Sequence, residues 1–232
     1  MKHTTISVGG LQLDVYVFVY EPVASNMYFI PIGETGIVFD PNINEKLPLL
    51  LEHLGIKQVQ IILTHEHYDH TTGVEWLQSI IPAPVFCHKD CAHYISSEKG
   101  NTPRLVAMAL KTKDMADGGH RCEEFMAQFK PYILKADRTF IGAEKINVDT
   151  VSIDCYSTPG HSPGSACYII DGKYIFTGDS LIQESPTITR FKTSNNETFE
   201  KVTRPFLRSL DKNMLVFPGH GEPFIIKDAK YL

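Results

Sequence analysis

Thr64-His65-Glu66-His67-Tyr68-Asp69-His70 packs three imidazoles and two carboxylates into consecutive positions, directly behind an apolar run at 59–63. A five-residue apolar run of this kind reads as a buried strand. The polar segment is therefore the loop at that strand's carboxyl end. An exposed polar loop would also be rich in such residues, so the reading depends on whether the rest of the chain supplies matching groups.

It does so three times. Thr158-Pro159-Gly160-His161, Thr177-Gly178-Asp179 and Phe217-Pro218-Gly219-His220 each follow a predicted strand directly. Loops beyond the carboxyl ends of strands converge on one edge of an open α/β sheet, where ligands bind. Gly and Pro are what sharp, close-approaching turns require. Five His and two Asp are too many ligands for one tetrahedral ion. They suit two divalent ions sharing a carboxylate and a bridging water, with positions left open as in catalytic rather than structural sites. Nitrogen-rich ligation points to zinc, with iron or manganese also compatible.

Outward from these loops the chain alternates strands and helices. Residues 11–17 alternate with period two, and 27–31 and 36–39 are further short strands around a hairpin-like turn at 33–36. Leucines at 47, 50, 51 and 54 mark a helix ending near Gly55. Helical spacing at 74–80 and a strand at 84–87 follow. Residues 96–132 are Lys- and Met-rich and helical, broken at Asp117-Gly118-Gly119. A strand at 148–156, a hairpin of 166–170 with 174–177, a helix at 199–210 and a strand at 215–217 complete the pattern. One α/β domain spanning 1–232, with a helical insertion at about 96–132, is the simplest account.

Composition narrows the function. The chain has 232 residues, is 43% hydrophobic and carries a net charge of −5, which supports a folded core and argues against a nucleic-acid grip built on bulk charge. No apolar run reaches the roughly 18–20 residues of a membrane span. Five cysteines in a chain of this length do not form a disulfide scaffold, so a reducing, cytoplasmic setting is expected. The expected partner is a small-molecule substrate, with no nucleic acid and no membrane, and with a homo-oligomer left open.

The order His65-x-His67-x-Asp69-His70, His161, Asp179, His220 resembles the metal motifs of the metallo-β-lactamase superfamily, as do Ser25-Asn26-Met27-Tyr28, Phe39-Asp40-Pro41 and Pro218-Gly219-His220-Gly221. The resemblance implies a four-layer αβ/βα sandwich with the metals at one sheet edge. It implies that His65, His67 and His161 hold one ion, that Asp69, His70 and His220 hold the other, and that Asp179 bridges both. His67, where a carboxylate would mark the flavo-diiron branch, argues against that branch. The implied chemistry is metal-assisted hydrolysis through a bridging hydroxide, with Asp69 as the catalytic carboxylate that orients it or passes its proton on. The layout is most similar to glyoxalase II-like hydrolases, so a small thioester, ester or lactone is the expected substrate. The pattern departs from those enzymes at Glu222, where they carry Tyr, and from the lactonases at Ile182, where those carry Tyr. A mono-iron persulfide-type dioxygenase and β-lactam or phosphodiester hydrolases are the alternative readings.

Asp40 is expected either to hold a ligand imidazole or to be an ordinary turn residue. Cys87 and Cys91 are read as buried thiols rather than metal ligands. Arg190, Lys192, Lys201 and Arg204 are surface cations by default, one of which could meet a substrate carboxylate. The insertion, with Leu105, Val106, Met108, Ala109, Leu110, Met115, Phe125, Met126 and Phe129, is either a wall over the site or a hairpin packed on itself or on a second subunit.

Overall fold

The computed structural model describes residues 2–98 and 102–232. Residues 99–101, within the helical insertion expected at about 96–132, lie outside them. Two sheets face each other. The first runs β1 (Lys2–Val8), β2 (Leu11–Tyr20), β3 (Ser25–Ile32), β4 (Thr35–Phe39), β5 (Gln58–Ile62), β6 (Val85–His88) and β7 (Arg138–Phe140). The second holds β8 (Ala143–Val148), β9 (Val151–Ser157), β10 (Ala166–Ile170), β11 (Tyr174–Gly178), β12 (Leu215–Pro218) and β13 (Phe224–Ile225), in reverse order across the sheet.

Period-two alternation decides the layers. Along β3, Tyr28, Ile30 and Ile32 point between the sheets, whereas Met27 and Phe29 point outward. Along β4, Ile37 and Phe39 face inward and Val38 outward. The outer face of the first sheet is covered by α1 (Lys46–His53), α3 (Val74–Gln78) and α4 (Lys89–Ile95), after the single turn of α2 (Tyr68–Thr71). α5 (Arg104–Asp117) and α6 (Arg121–Gln128) form the insertion. The second sheet is covered by a helical stretch of α7 (Asn196–Thr198), a π-helical turn (Phe199–Thr203) and α8 (Arg204–Ser209). The result is the four-layer αβ/βα sandwich that the motifs implied.

Several elements differ from their sequence reading. The strand read at 148–156 is the second arm of a hairpin. Val148 ends β8, Asp149 turns with φ 52°, and β9 begins at Val151. β1, β7 and β8 went unread because their exposed faces are polar and edge positions bury only one side. The insertion's helices end at Gln128, and the chain then runs without regular structure to β7. The helix read at 199–210 starts three residues earlier, with α7, and the π turn lies between α7 and α8. There Gly160, with φ 136°, sits so close to Phe199 that a Cβ would lie 2.5 Å from that side chain.

Between the sheets, Phe39, Phe176 and Phe217 stack. Ring centroids lie 4.0 Å apart for Phe39 and Phe176 and 4.7 Å for Phe176 and Phe217, with planes within 7° and 11° of parallel. Such pairs add about 0.5–1.5 kcal/mol each beyond burial. Each ring stands one to three residues before a functional loop: Asp40, Asp179 and His220.

Candidate metal centre

All seven predicted residues meet at one edge, where the two sheets' loops converge. His65 and His67 follow β5, and Asp69 and His70 sit on α2. His161 follows β9, Asp179 follows β11, and His220 follows β12. Three groupings place ligand atoms within 4.8 Å of one another: His65/His67/His161, Asp69/His70/His220 and Asp40/His65/His70.

Hydrogen bonds at the outer nitrogens decide which atoms face inward. Thr64 Oγ1 donates to Asp40 Oδ2 at 2.5 Å, so it accepts from His65 Nδ1 at 3.0 Å. His65 Nε2 is then left with its lone pair. His161 Nδ1 donates to the Ile188 carbonyl at 2.9 Å, which does the same for its Nε2. Both of these atoms lie 3.0 Å from His67 Nδ1. At most one proton can be shared among the three, so basic nitrogens crowd one point. Burial, reinforced by the other imidazoles, holds His67 down to about 3 and keeps His65 and His161 below the ordinary histidine range as well.

The second cluster has the opposite character. His70 Nδ1 donates to Asp40 Oδ2 at 2.8 Å, while His220 Nδ1 lies 3.2 Å from the Val23 carbonyl. Their Nε2 atoms then face carboxylates: Asp69 Oδ2 at 3.4 Å from both, and Asp179 Oδ1 at 3.5 Å from both. Burial works to lower these imidazoles. The carboxylates outweigh it, raising His70 to about 9 and His220 to about 11. Asp69 is in turn held down at about 2, because its imidazole partners outweigh burial.

Asp179 touches both clusters. Its Oδ2 lies 3.4 Å from His161 Nε2, and its Oδ1 faces the second cluster. A register break in the β11–β12 ladder falls between Phe176 and Gly178, at the step into Asp179, and such breaks re-aim side chains. Space matters as well: a Cβ at Gly219 would lie 2.2 Å from Asp179 Oδ1. Among the described residues, His70 Nε2 and Asp179 Oδ1 are buried without any hydrogen-bond partner. Orphaned buried atoms beside converging lone pairs fit a site for cations.

Of the fastening around this centre, sequence reasoning offered only Asp40, as one of two readings, and missed the rest. Asp40, in a left-handed conformation at φ 49°, accepts from Thr64 N, Thr64 Oγ1 and His70 Nδ1, and so ties both clusters to one carboxylate. It therefore holds imidazoles and is not an ordinary turn. Glu66 lies inside the motif but turns away. It accepts from Ser162 Oγ at 2.9 Å and Gly164 N at 3.4 Å, locking the first loop to the His161 loop, and burial pushes it up to about 7. Ser25 Oγ donates to the Asp69 carbonyl, and Asn26 and Tyr28 donate to the carbonyls around His220. Spacing alone carries no signal for such backbone clamps.

A family model described as the metallo-beta-lactamase superfamily matches residues 20–220. The chain belongs to the metallo-beta-lactamase superfamily. Among curated proteins it is 27% identical over 202 residues to "Probable metallo-hydrolase YqgX" of Bacillus subtilis, covering 86% of each chain. It is 25% identical to "Probable polyketide biosynthesis zinc-dependent hydrolase PksB" of the same species, over 82% of this chain and 69% of that one. The solved structure of TTHA1623 in a di-iron-bound form superposes with a TM-score of 0.69 at 23% identity, covering 92% of this chain and 96% of that one. The last likeness concerns the fold. Membership and the curated relatives support a metal-dependent hydrolase at the level of the superfamily.

Two cavities adjoin the centre. One, of about 230 Å³, is bounded by His161, Asp179 and His220 together with Ile182, Ser185 and Ile188. The other, of about 360 Å³, opens beside His67. Phe191 stands edge-on to both His67 and His161, with centroids 5.6 and 5.7 Å away. The insertion reaches the centre through aromatic rings, since Tyr68 of α2 contacts Phe125, Phe129 and Tyr132. Met108, Met115 and Met126, expected on an apolar wall, instead face solvent. Cys87 and Cys91 are buried free thiols. Among the described residues, no helix is long and apolar enough to cross a membrane.

Proposed function

We propose that this chain is a dinuclear metal-dependent hydrolase, zinc-loaded, that cleaves a small thioester, ester or lactone. The observation that carries the reading is the crowding of three imidazole nitrogens, His65 Nε2 and His161 Nε2 each 3.0 Å from His67 Nδ1, beside a carboxylate, Asp179, that also faces a second His/Asp cluster. His65, His67 and His161 would hold one ion, Asp69, His70 and His220 the other, and Asp179 both. When bound, the ions supply Lewis acidity that polarises a carbonyl and brings a water's pKa toward neutrality. The likeness to PksB, a probable zinc-dependent hydrolase, supports zinc.

The chain's own groups do the rest. Asp40 and the Ile188 and Val23 carbonyls fix the imidazole tautomers, so the inward nitrogens keep their lone pairs when the second cluster gives up its protons. Asp69, held ionised beside His70 and His220, is the carboxylate that orients the attacking water or passes its proton to the leaving group. Ile182 and Ile188 give the acyl side an apolar wall.

Metal analysis of the purified chain, then a panel of thioesters, lactones, phosphodiesters and β-lactams, tests this. The expected result is two zinc ions per chain and turnover of thioesters or lactones. One iron with oxygen uptake, or no metal after loading, overturns it.

A further inference from the structure

The cavity beside His67 contains a charge pattern that the hydrolytic chemistry does not use. It is lined by Glu66, Tyr68, Tyr94, Arg104, Phe191 and Lys192, among others. Arg104 opens α5 of the insertion, and Lys192 lies in the loop after the Asp179 segment. Two separate parts of the chain therefore bring a cation to one mouth. Among the described residues the one carboxylate in that lining, Glu66, is committed to Ser162 and Gly164. Among the described residues, neither Arg104 nor Lys192 has an acidic partner within ion-pair distance. Elsewhere on the surface many cations do: Lys57 with Glu34, Arg121 with Asp114 and Asp117, Lys145 with Asp154, Arg204 with Glu200. The first turn of α5 holds no acidic residue, so the positive end of that helix adds to the same sign.

In a chain of net charge −5, two unpaired cations flanking a cleft next to the reacting centre are a local reversal of the overall field. Tyr68, Tyr94 and Phe191 give the space between them aromatic walls, and the opening at His67 leads to the metal centre. We infer that Arg104 and Lys192 hold an oxyanion at the tail of the substrate, so that the ester or thioester cleaved here carries a carboxylate or phosphate group on its leaving side. The inference rests on the hydrolase reading above and names its substrate class. The acyl group occupies the smaller cavity at Ile182 and Ile188, and the anionic tail lies over His67 between the two cations.

The test uses matched pairs with the metal-loaded full chain. S-acetyl-3-mercaptopropionate is compared with its methylamide, and S-acetyl-4′-phosphopantetheine with S-acetylpantetheine. The anionic member of at least one pair is expected to have a kcat/KM about tenfold higher or more. Preference in the first pair identifies a carboxylate tail, and in the second a phosphate tail. Arg104→Ala and Lys192→Ala should each remove much of that preference through KM. They should leave kcat, the neutral member and the melting temperature unchanged, and Arg104→Lys should restore part of the preference. Equal rates within both pairs, or variants that slow both members alike, overturn the inference.

Calorimetric titration with the corresponding non-hydrolysable thioethers separates this inference from its parent. If no thioester turns over but the anionic thioether still binds about tenfold tighter, in a manner dependent on Arg104 and Lys192, the anion site stands and the hydrolase reading falls. If thioesters turn over while charged and neutral thioethers bind equally, the anion site falls and the hydrolase reading stands.

Discussion

The two halves of the metal centre solve the same problem in opposite ways. His65, His67 and His161 form an all-imidazole pocket, buried and neutral, in which three basic nitrogens converge and share at most one proton. Asp69, His70 and His220 balance their own charge, because protonated imidazoles sit against carboxylates. The first half directs basic nitrogens, not charges, at one point, the donor set that suits a cation. The second is already satisfied by protons, and an incoming ion has to displace them. Affinity at the first half is therefore expected to be the higher near neutral pH, and at the second to climb with pH.

The strongest way to break this contrast is to remove the residue the halves share. Asp179→Ala should strip or loosen both ions and lower activity by roughly 10³-fold or more, as read by metal content and kcat. Full two-ion occupancy in this variant would deny the bridging role. Next come single-half lesions. His67→Ala should empty the first position, and His220→Ala should deplete the second ion while the first persists. Stepwise metal titration distinguishes them, and equal loss from both variants would show that the halves are not separable.

Asp40→Asn is milder. It leaves the shape but weakens the acceptor for Thr64 and His70, so a loss of about 10–100-fold in metal affinity is expected. That loss should be greater for the half containing His70, and an unchanged competition titration against a chelator would contradict it. The smallest effect is on the pH dependence of the metal-free protein. The depressed His67 is neutral when folded at a pH where the unfolded chain, near 6.5, takes up a proton. Stability therefore falls as pH drops from 6.5 toward 3, and the depressed Asp69 adds to the loss below its ordinary 3.8. His70 and His220 are raised, so their stabilisation is complete below 6.5 and is lost as pH climbs through about 9 and 11. Melting temperature against pH should show both flanks. His67→Phe should flatten only the acidic one above pH 4, and an unaltered acidic flank would sink the assignment.

The sequence announced this centre because ligand chemistry leaves few alternatives in residue type. His65, His161, Asp179 and His220 each stand at a strand end with Gly or Thr beside them, a local pattern that survives without knowing the fold. What stayed hidden was either one-sided or long-range. β1 and β8 carry polar faces that blur alternation. The Ser25–Asp69 and Asn26–Gly221 clamps join residues with no spacing relation. The methionines of α5 and α6 read as an apolar wall. They face solvent because Val106 and Leu110 supply α5's buried stripe, while α6 buries none of its residues.

The triple Phe stack has a further implication for anyone screening variants of this chain. Its rings come from both sheets and lie directly beneath three of the loops, so it keys the two sheets to each other below the chemistry. Damage to that floor would surface in an assay as lost cation uptake, although none of the three rings is a ligand. Conversely, the rim can be rewritten by mutation while the floor keeps its alignment, which leaves substrate choice free to drift without re-inventing the catalyst.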